Sequence, residues 1–262
     1  MTSFAHDSAE LAEAYERTSD LQFESGKRLV ERLRLEPSTR VLDVGCGTGR
    51  LTRWIAQLVA HVVGIDPLAQ RIEFARTLAS PARFEVGRAE ELGAFADESF
   101  DAVCLSSVLH WVSDKPRALA EAHRVLRPGG RLAITTLPQE LSSAGTISQV
   151  LQPLLRRHAD RIDRSALTRS LTTTELITLL GAAGFELDTL EIAPTTHEHE
   201  SAEAFVEFAE ASSFGNLLAL APGLRAELIG AFPASGPVTI RGWTTTLIAT
   251  RPSRSRAASS AA

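Results

Sequence analysis

Between residues 40 and 136, short apolar runs alternate with longer segments whose apolar residues recur every three or four positions. That alternation predicts a parallel β-sheet with helices on both faces, because doubly buried strands read as continuous apolar runs and crossover helices as stripes. Five strands are expected, at "RVLDVG", "HVVGID", "RFEVG", "FDAVCLSS" and "RLAITTL". Leu51, Trp54, Ile55, Leu58 and Val59 make one stripe, so a helix opens directly out of the turn after the first strand. A second helix begins near Asp114 and Pro116, carries Leu119, Ala122, Val125 and Leu126 on its inner side, and stops at "RPGG".

Past residue 137 the alternation breaks, and residues 138–171 carry apolar positions that suit short helices inserted over the sheet. The segment "TTTELITLLGAAGFELDTLEIAP" predicts a helix, a stop at Gly184 and a strand; residues 201–232 are mostly helical in pattern, and "PVTIRGWTTTLIAT" is the last strand. Residues 1–36 predict an N-terminal helical segment, and the tail 251–262, rich in Ser, Ala and Arg, is expected to be disordered. With no repeat and no linker in view, residues 1–250 are expected to form a single α/β domain.

Composition changes this picture little. The chain has 262 residues, 44% of them hydrophobic, enough for a full core without disulfides. Its two cysteines, Cys46 in a glycine-rich turn and Cys104 in an apolar run, suit a reduced protein and supply no metal set. His197 and His199 have a spacing a metal could use, but no further ligand joins them in sequence, and no metal is expected. A net charge of −5 with mixed signs argues against a nucleic-acid partner. No apolar run approaches the ~20 residues that span a bilayer. A cytoplasmic monomer or homodimer acting on a small molecule is the expectation.

The turn Gly45-Cys46-Gly47-Thr48-Gly49 follows a strand and precedes a helix, and Asp66 ends the next strand. A dinucleotide fold prefers G-x-G-x-x-G, and a triphosphate loop needs G-x-x-x-x-G-K-[ST]; neither spacing is present. What remains is a ligand that presses a backbone-like portion against the glycines and offers ribose hydroxyls to an acceptor-only carboxylate.

Taken in order, "VLDVGCGTG", "VVGID", "FDAVCLSSVLHWV" and "HRVLRPGGRLAITTL" resemble the successive motifs of class I S-adenosylmethionine-dependent methyltransferases. The resemblance is strong over residues 15–137. It implies a Rossmann-like fold with a seven-stranded, mostly parallel sheet, an N-terminal helical lid over residues 1–36, and S-adenosyl-L-methionine as cofactor. It implies further that Gly45, Gly47 and Gly49, with Cys46 between them, lie against the methionine portion, and that Asp66 binds the ribose. Pro67 and Leu68 would bound the adenine, with Ala89 and Glu90 as neighbours, since Arg88 stands where the family often has an acidic residue. Asp43 would support the turn and the ligand amine, Ser106 would end the fourth strand beside the cofactor, and Tyr15 would close over it.

Methyl transfer from a sulfonium is an in-line displacement, so alignment and exclusion of water matter more than proton transfer. An acceptor carboxylate is already ionised at neutral pH and needs neutral donors to orient it, not a base. Gln22 in "TSDLQFESGKRLVERL", whose Leu29, Val30 and Leu33 could dock that helix on the sheet, and Trp111 in "LHWV" are suited to the task. This pairing resembles the juvenile hormone acid methyltransferases and, more distantly, the trans-aconitate and malonyl-carrier-protein carboxyl methyltransferases, which implies that Gln22 and Trp111 hold an acceptor carboxylate. The alternative acceptor is a thiol, phenol or amine with His110 as base. A non-catalytic S-adenosylmethionine-binding protein is a further class. Phe205, Phe208 and Phe214 suit either an apolar acceptor pocket or core, and His123 a structural position.

Overall fold

The computed structural model describes residues 6–157, 169–213 and 223–253. Two helices, α1 (Ala9–Thr18) and α2 (Asp20–Glu31), precede the sheet, and Ser8 caps α1 by accepting from the Leu11 amide. The sheet consists of β1 (Arg40–Val44), β2 (His61–Asp66), β3 (Arg83–Val86), β4 (Phe100–Ser106), β5 (Leu126–Thr136), β6 (Glu186–His199) and β7 (Val238–Thr250). Their order is β3-β2-β1-β4-β5-β7-β6, with only β7 antiparallel to its neighbours. The seven-stranded, mostly parallel sheet read from the sequence is the one observed.

Crossovers run through α3 (Arg50–Ile55), α4 (Ala69–Thr77), α5 (Lys115–Val125) and α7 (Thr173–Ala182). α5 begins where its chemistry dictates: the Asp114 side chain accepts from the Arg117 amide at 3.0 Å, and Pro116 sits in the first turn. Leu119, Ala122, Val125 and Leu126 are all buried beneath it. α7 opens with a capping box between Thr172 and Glu175 and ends at Gly184, whose φ is +88°. The stripe expected after the glycine turn is shorter than its sequence pattern. α3 ends at Ile55, and Leu58 is 41% exposed, because the chain must turn there to enter β2, with the Ala60 amide bonded to the Pro37 carbonyl.

β5 starts earlier than expected. "RPGG" falls in an irregularity inside it, where the register shifts between Phe100 opposite Leu126 and Ala102 opposite Arg131. β6 and β7 are longer than their neighbours. β5 pairs with β7 only as far as Thr136 opposite Thr245, while β6 and β7 continue together from Ala193 opposite Thr244 to His199 opposite Val238. This ribbon projects past the carboxyl ends of the parallel strands. Val238 and Ile240 on it pack against Leu154 of α6 (Thr146–Arg157), Phe205, Val206 and Phe208 of α8 (Ala202–Ser212), and Leu224 and Leu228 of α9 (Leu224–Gly230). Phe205 and Phe208 are therefore core, and Phe214 lies outside the described residues, as do 254–262 of the expected tail.

α2 packs on the sheet through Leu29, Val30 and Leu33, against Ile55, Cys104 and Ile248. Full burial of each large side chain contributes about 1.5–3 kcal/mol. His123 stacks edge-on against Phe185 at 5.1 Å between ring centroids. No described helix is long and apolar enough to cross a membrane.

Candidate active site

β1 ends at Val44, and the chain turns through the glycines into α3. Gly45, Gly47 and Gly49 all hold positive φ, at +74°, +56° and +80°. At two of them space is as restrictive as torsion. A Cβ on Gly45 would stand 2.3 Å from Val108 Cγ2, and one on Gly49 would stand 2.5 Å from the Phe84 ring. Gly47 is different: its added Cβ would face Tyr15 Cε1 at 3.2 Å and Arg71 Nη1 at 3.8 Å, across a cleft. Packing thus demands the outer two glycines, and the cleft demands the middle one.

Asp66 ties this turn to α4. Its Oδ2 accepts from the Gly47 amide and its Oδ1 from the Leu68 amide, each at 2.9 Å. Burial pushes its pKa up, while the Arg71 charge and then the two amides pull it down. Asp43, one strand over, is 1% exposed and accepts from Thr52 Oγ1 at 2.6 Å. Burial lifts its pKa to about 6, with the Thr52 bond opposing and the Asp66 charge adding.

The cleft is lined by Tyr15, Gly45, Gly47, Asp66, Pro67 and Leu68 on one side, by Arg88, Ala89 and Glu90 across from them, and by Ser106 and Trp111 at the end of β4. Glu90 is anchored, its Oε1 accepting from the Ser113 amide at 3.2 Å and lying 3.5 Å from Arg88 Nη2. Five candidates lie off the cleft wall. Cys46 packs with Ile72, Ala75 and Phe84, where burial raises its thiol pKa. Gly49 abuts the same Phe84, and Asp43 lies behind the turn.

His110 is the fourth. It is 8% exposed, its Nδ1 lies 3.4 Å from Thr136 Oγ1, and burial, followed by the Lys115 charge, lowers its pKa to about 4. The imidazole is neutral at pH 7, and its weak basicity makes it a poor proton acceptor for a phenol, thiol or amine. Its neighbour Trp111 lies 5.5 Å away between ring centroids and does line the cleft.

Gln22, the fifth, does not line the cleft. It lies on the inner stripe of α2 with Gly26, Leu29, Val30 and Leu33, and a Cβ on Gly26 would be 3.1 Å from Ser106 Oγ. α2 runs opposite to β4, since the Leu33 carbonyl near its far end accepts from the Arg131 side chain at the start of the regular β5 pairing. Gln22 therefore lies one turn, ~6 Å, beyond Ser106, past the carboxyl ends of the strands. Its Oε1 is buried with no hydrogen-bond partner among the described residues. An orphaned acceptor of this kind costs about 1–3 kcal/mol and marks a position for a ligand or water.

Other residues of the cleft escaped the sequence reading. Arg71, Ser107, Val108 and Ser212 all line it. Ser107 takes a left-handed φ of +59° as the chain bends from β4 toward Trp111, its amide donating to Thr135. Arg71 left one signal: a cation on the buried stripe Leu68, Arg71, Ile72 and Ala75 of α4. His197 and His199 share the ribbon face with Ile240 and Val238, and His199 stacks on Phe205 and Phe208 at 5.4 and 5.3 Å. Among the described residues no group of three or more His, Cys, Asp or Glu side chains could hold a metal ion.

Comparison with known proteins agrees with this geometry. Residues 42–134 match the family model described as a methyltransferase domain. A malonyl-[acyl-carrier protein] O-methyltransferase of Pectobacterium atrosepticum is 36% identical over 144 residues, 55% of either chain. A ubiquinone biosynthesis O-methyltransferase of Azorhizobium caulinodans is 35% identical over 158 residues, 58% of this chain and 60% of its own. The chain thus spans a little over half the length of the curated relatives it matches. Among solved structures, the YcgJ protein of Bacillus subtilis superposes with a TM-score of 0.64 at 19% identity, covering 87% of this chain and 98% of its own. The [4+2]-cyclase SpnF superposes at 0.60 with 25% identity, covering 88% and 82%. Motif order, sheet order and domain match agree: residues 42–134 carry a class I S-adenosylmethionine-dependent methyltransferase domain, a type that binds S-adenosyl-L-methionine.

Proposed function

We propose that the protein O-methylates the carboxylate of a small or medium apolar acid, with S-adenosylmethionine bound in the cleft between the glycine turn and β4. The residues present suit that cofactor. Gly47 leaves room for a methionine-like chain, Asp66 offers an acceptor-only group to a ribose diol, and Pro67, Leu68 and Ala89 form an apolar wall for a flat base. Bound S-adenosylmethionine supplies an electrophilic methyl group on a cationic sulfur. Everything else the reaction needs is orientation and dryness from the chain itself.

The observation that carries the carboxylate reading is a buried Gln22 Oε1 with no described partner, in a site whose His110 is buried and weakly basic. A carboxamide can present oxygen or NH2 at the same buried position, and NH2 turned inward satisfies a carboxylate. With the Trp111 indole N–H it forms a neutral donor pair that orients the acceptor without quenching its charge. Similarity to an O-methyltransferase acting on malonyl-[acyl-carrier protein] supports an oxygen acceptor.

The test uses methyl-labelled S-adenosylmethionine with a panel of carboxylic acids, phenols, thiols and amines, followed by mild alkali. Label released as methanol is expected, since a methyl ester hydrolyses. Alkali-stable label would overturn the carboxylate reading in favour of sulfur, nitrogen or a phenolic oxygen. Cofactor binding without transfer across the panel would point to a binding protein.

A further inference from the structure

Arg71 is 2% exposed, in the first turn of α4, five residues past Asp66. Three separate parts of the chain converge on its guanidinium. Its Nη2 donates to the Ala211 carbonyl, at the end of α8, at 2.5 Å. Its plane lies over the Tyr15 ring of α1 at 4.2 Å, a cation–π distance. Its Nε faces Asp7, just before α1, at 3.6 Å, and the Asp7 side chain is 5% exposed. Burial raises the pKa of Asp7, and the Arg71 charge opposes that rise. A buried ion pair at this length recovers little of its desolvation cost, so hydrophobic economy alone does not explain it.

Position explains it better. Tyr15, Arg71 and Ser212 all line the proposed cofactor cleft, facing the glycine turn and Asp66. The same guanidinium favours the ionised form of Asp66, opposing the effect of burial. α8, at the other end of its reach, belongs to the helical layer packed on the β6–β7 ribbon.

We propose that Arg71, paired with Asp7, is a positioning residue that latches the N-terminal helix across the cofactor cleft and joins that closure to the helical layer over the acceptor side. The inference rests on the proposed cofactor cleft. Opening breaks the stacking on Tyr15 and the ion pair to Asp7 while α4 stays in place. A bound nucleoside is held by closure as well as by its direct contacts, so the latch controls its release.

The experiment measures binding and dissociation of S-adenosylhomocysteine, an unreactive probe, together with amide hydrogen exchange of residues 9–18. Wild-type binding comes first, and its failure would sink the cofactor reading itself. Given wild-type binding, Arg71→Met is expected to speed dissociation about tenfold or more, the loss of one charge-assisted contact, and to accelerate exchange in α1. Arg71→Lys should restore part of both, because it keeps the charge without the planar fork. Exchange in the β1–β5 strands should stay as in the wild type, which a general loss of structure would not produce. Asp7→Asn serves if Arg71→Met fails to fold, with a smaller change in the same direction. Unchanged dissociation and unchanged α1 exchange in the folded variants would overturn the latch.

Discussion

Asp43 gives the most exacting test of the site. Its carboxyl is 1% exposed and accepts a hydrogen bond from Thr52, and burial outweighs that bond to lift its pKa from 3.8 to about 6. Because the folded protein holds this proton more tightly than the unfolded chain, the group's contribution is intact below pH 3.8. It is lost as pH rises through about 6. The gap between the two values corresponds to about 3 kcal/mol. Asp43→Asn mimics the protonated carboxyl, since its oxygen still accepts from Thr52, but it does not titrate. The variant should match the wild type near pH 4 and exceed it by up to about 3 kcal/mol above pH 7, roughly 6–12 °C in Tm for a chain of this size. Urea and thermal unfolding of both proteins at half-unit steps from pH 4 to 8, without ligand, would measure the difference. A pH-independent difference, or a variant less stable than wild type at pH 8, would refute the reasoning. If the cofactor amine lies beside Asp43, ligand should recover more stability at pH 7.5 than at pH 5 in the wild type. In the variant that dependence should vanish. A carboxylate kept ionised at a cost to the fold is what a binding site demands of it.

Three further outcomes are expected. Asp66→Asn sets an NH2 against the Gly47 or Leu68 amide and removes the charge, weakening S-adenosylhomocysteine binding by on the order of 2 kcal/mol; unchanged calorimetric affinity would remove Asp66 from the site. Gly49→Ala forces a Cβ to 2.5 Å from the Phe84 ring at φ +80°, and should cost at least about 2 kcal/mol in urea unfolding; a loss within error would contradict the packing described. Gln22→Ala should leave cofactor affinity intact and lower kcat/KM for the acceptor, whereas equal turnover would defeat the carboxylate clamp.

What the sequence made legible follows a physical division. The five parallel strands, the α5 cap at Asp114, the Gly184 stop and the glycine turn with Asp66 were all readable, because each rests on residues within a few positions of one another. Leu58 was misread because the end of α3 is set by the route to β2, not by periodicity. The reach of β6 to His199 was missed because alternation on an edge ribbon is weak, and its partner lies some forty residues away at Val238. Phe205 and Phe208 carried no sign that they would face α9 and the ribbon instead of a ligand. Arg71 was the largest omission, since the carbonyl it holds belongs to Ala211, 140 residues further on.

The same division separates the two halves of the chemistry. Residues 42–134, where the family match lies, contain the glycine turn, Asp66 and Trp111. Gln22, Arg71's partners Asp7 and Ala211, and the ribbon from Ala193 to His199 all fall outside it. A fold that also serves a [4+2]-cyclase leaves the acceptor open, because the shared sheet fixes where a cofactor sits and not what approaches it. Substitutions at Asp66 or Gly47 therefore test membership of the class. The proposed carboxylate clamp is tested instead at Trp111 and at Gln22, which is half-buried beyond Ser106 with an Oε1 that no described residue pairs.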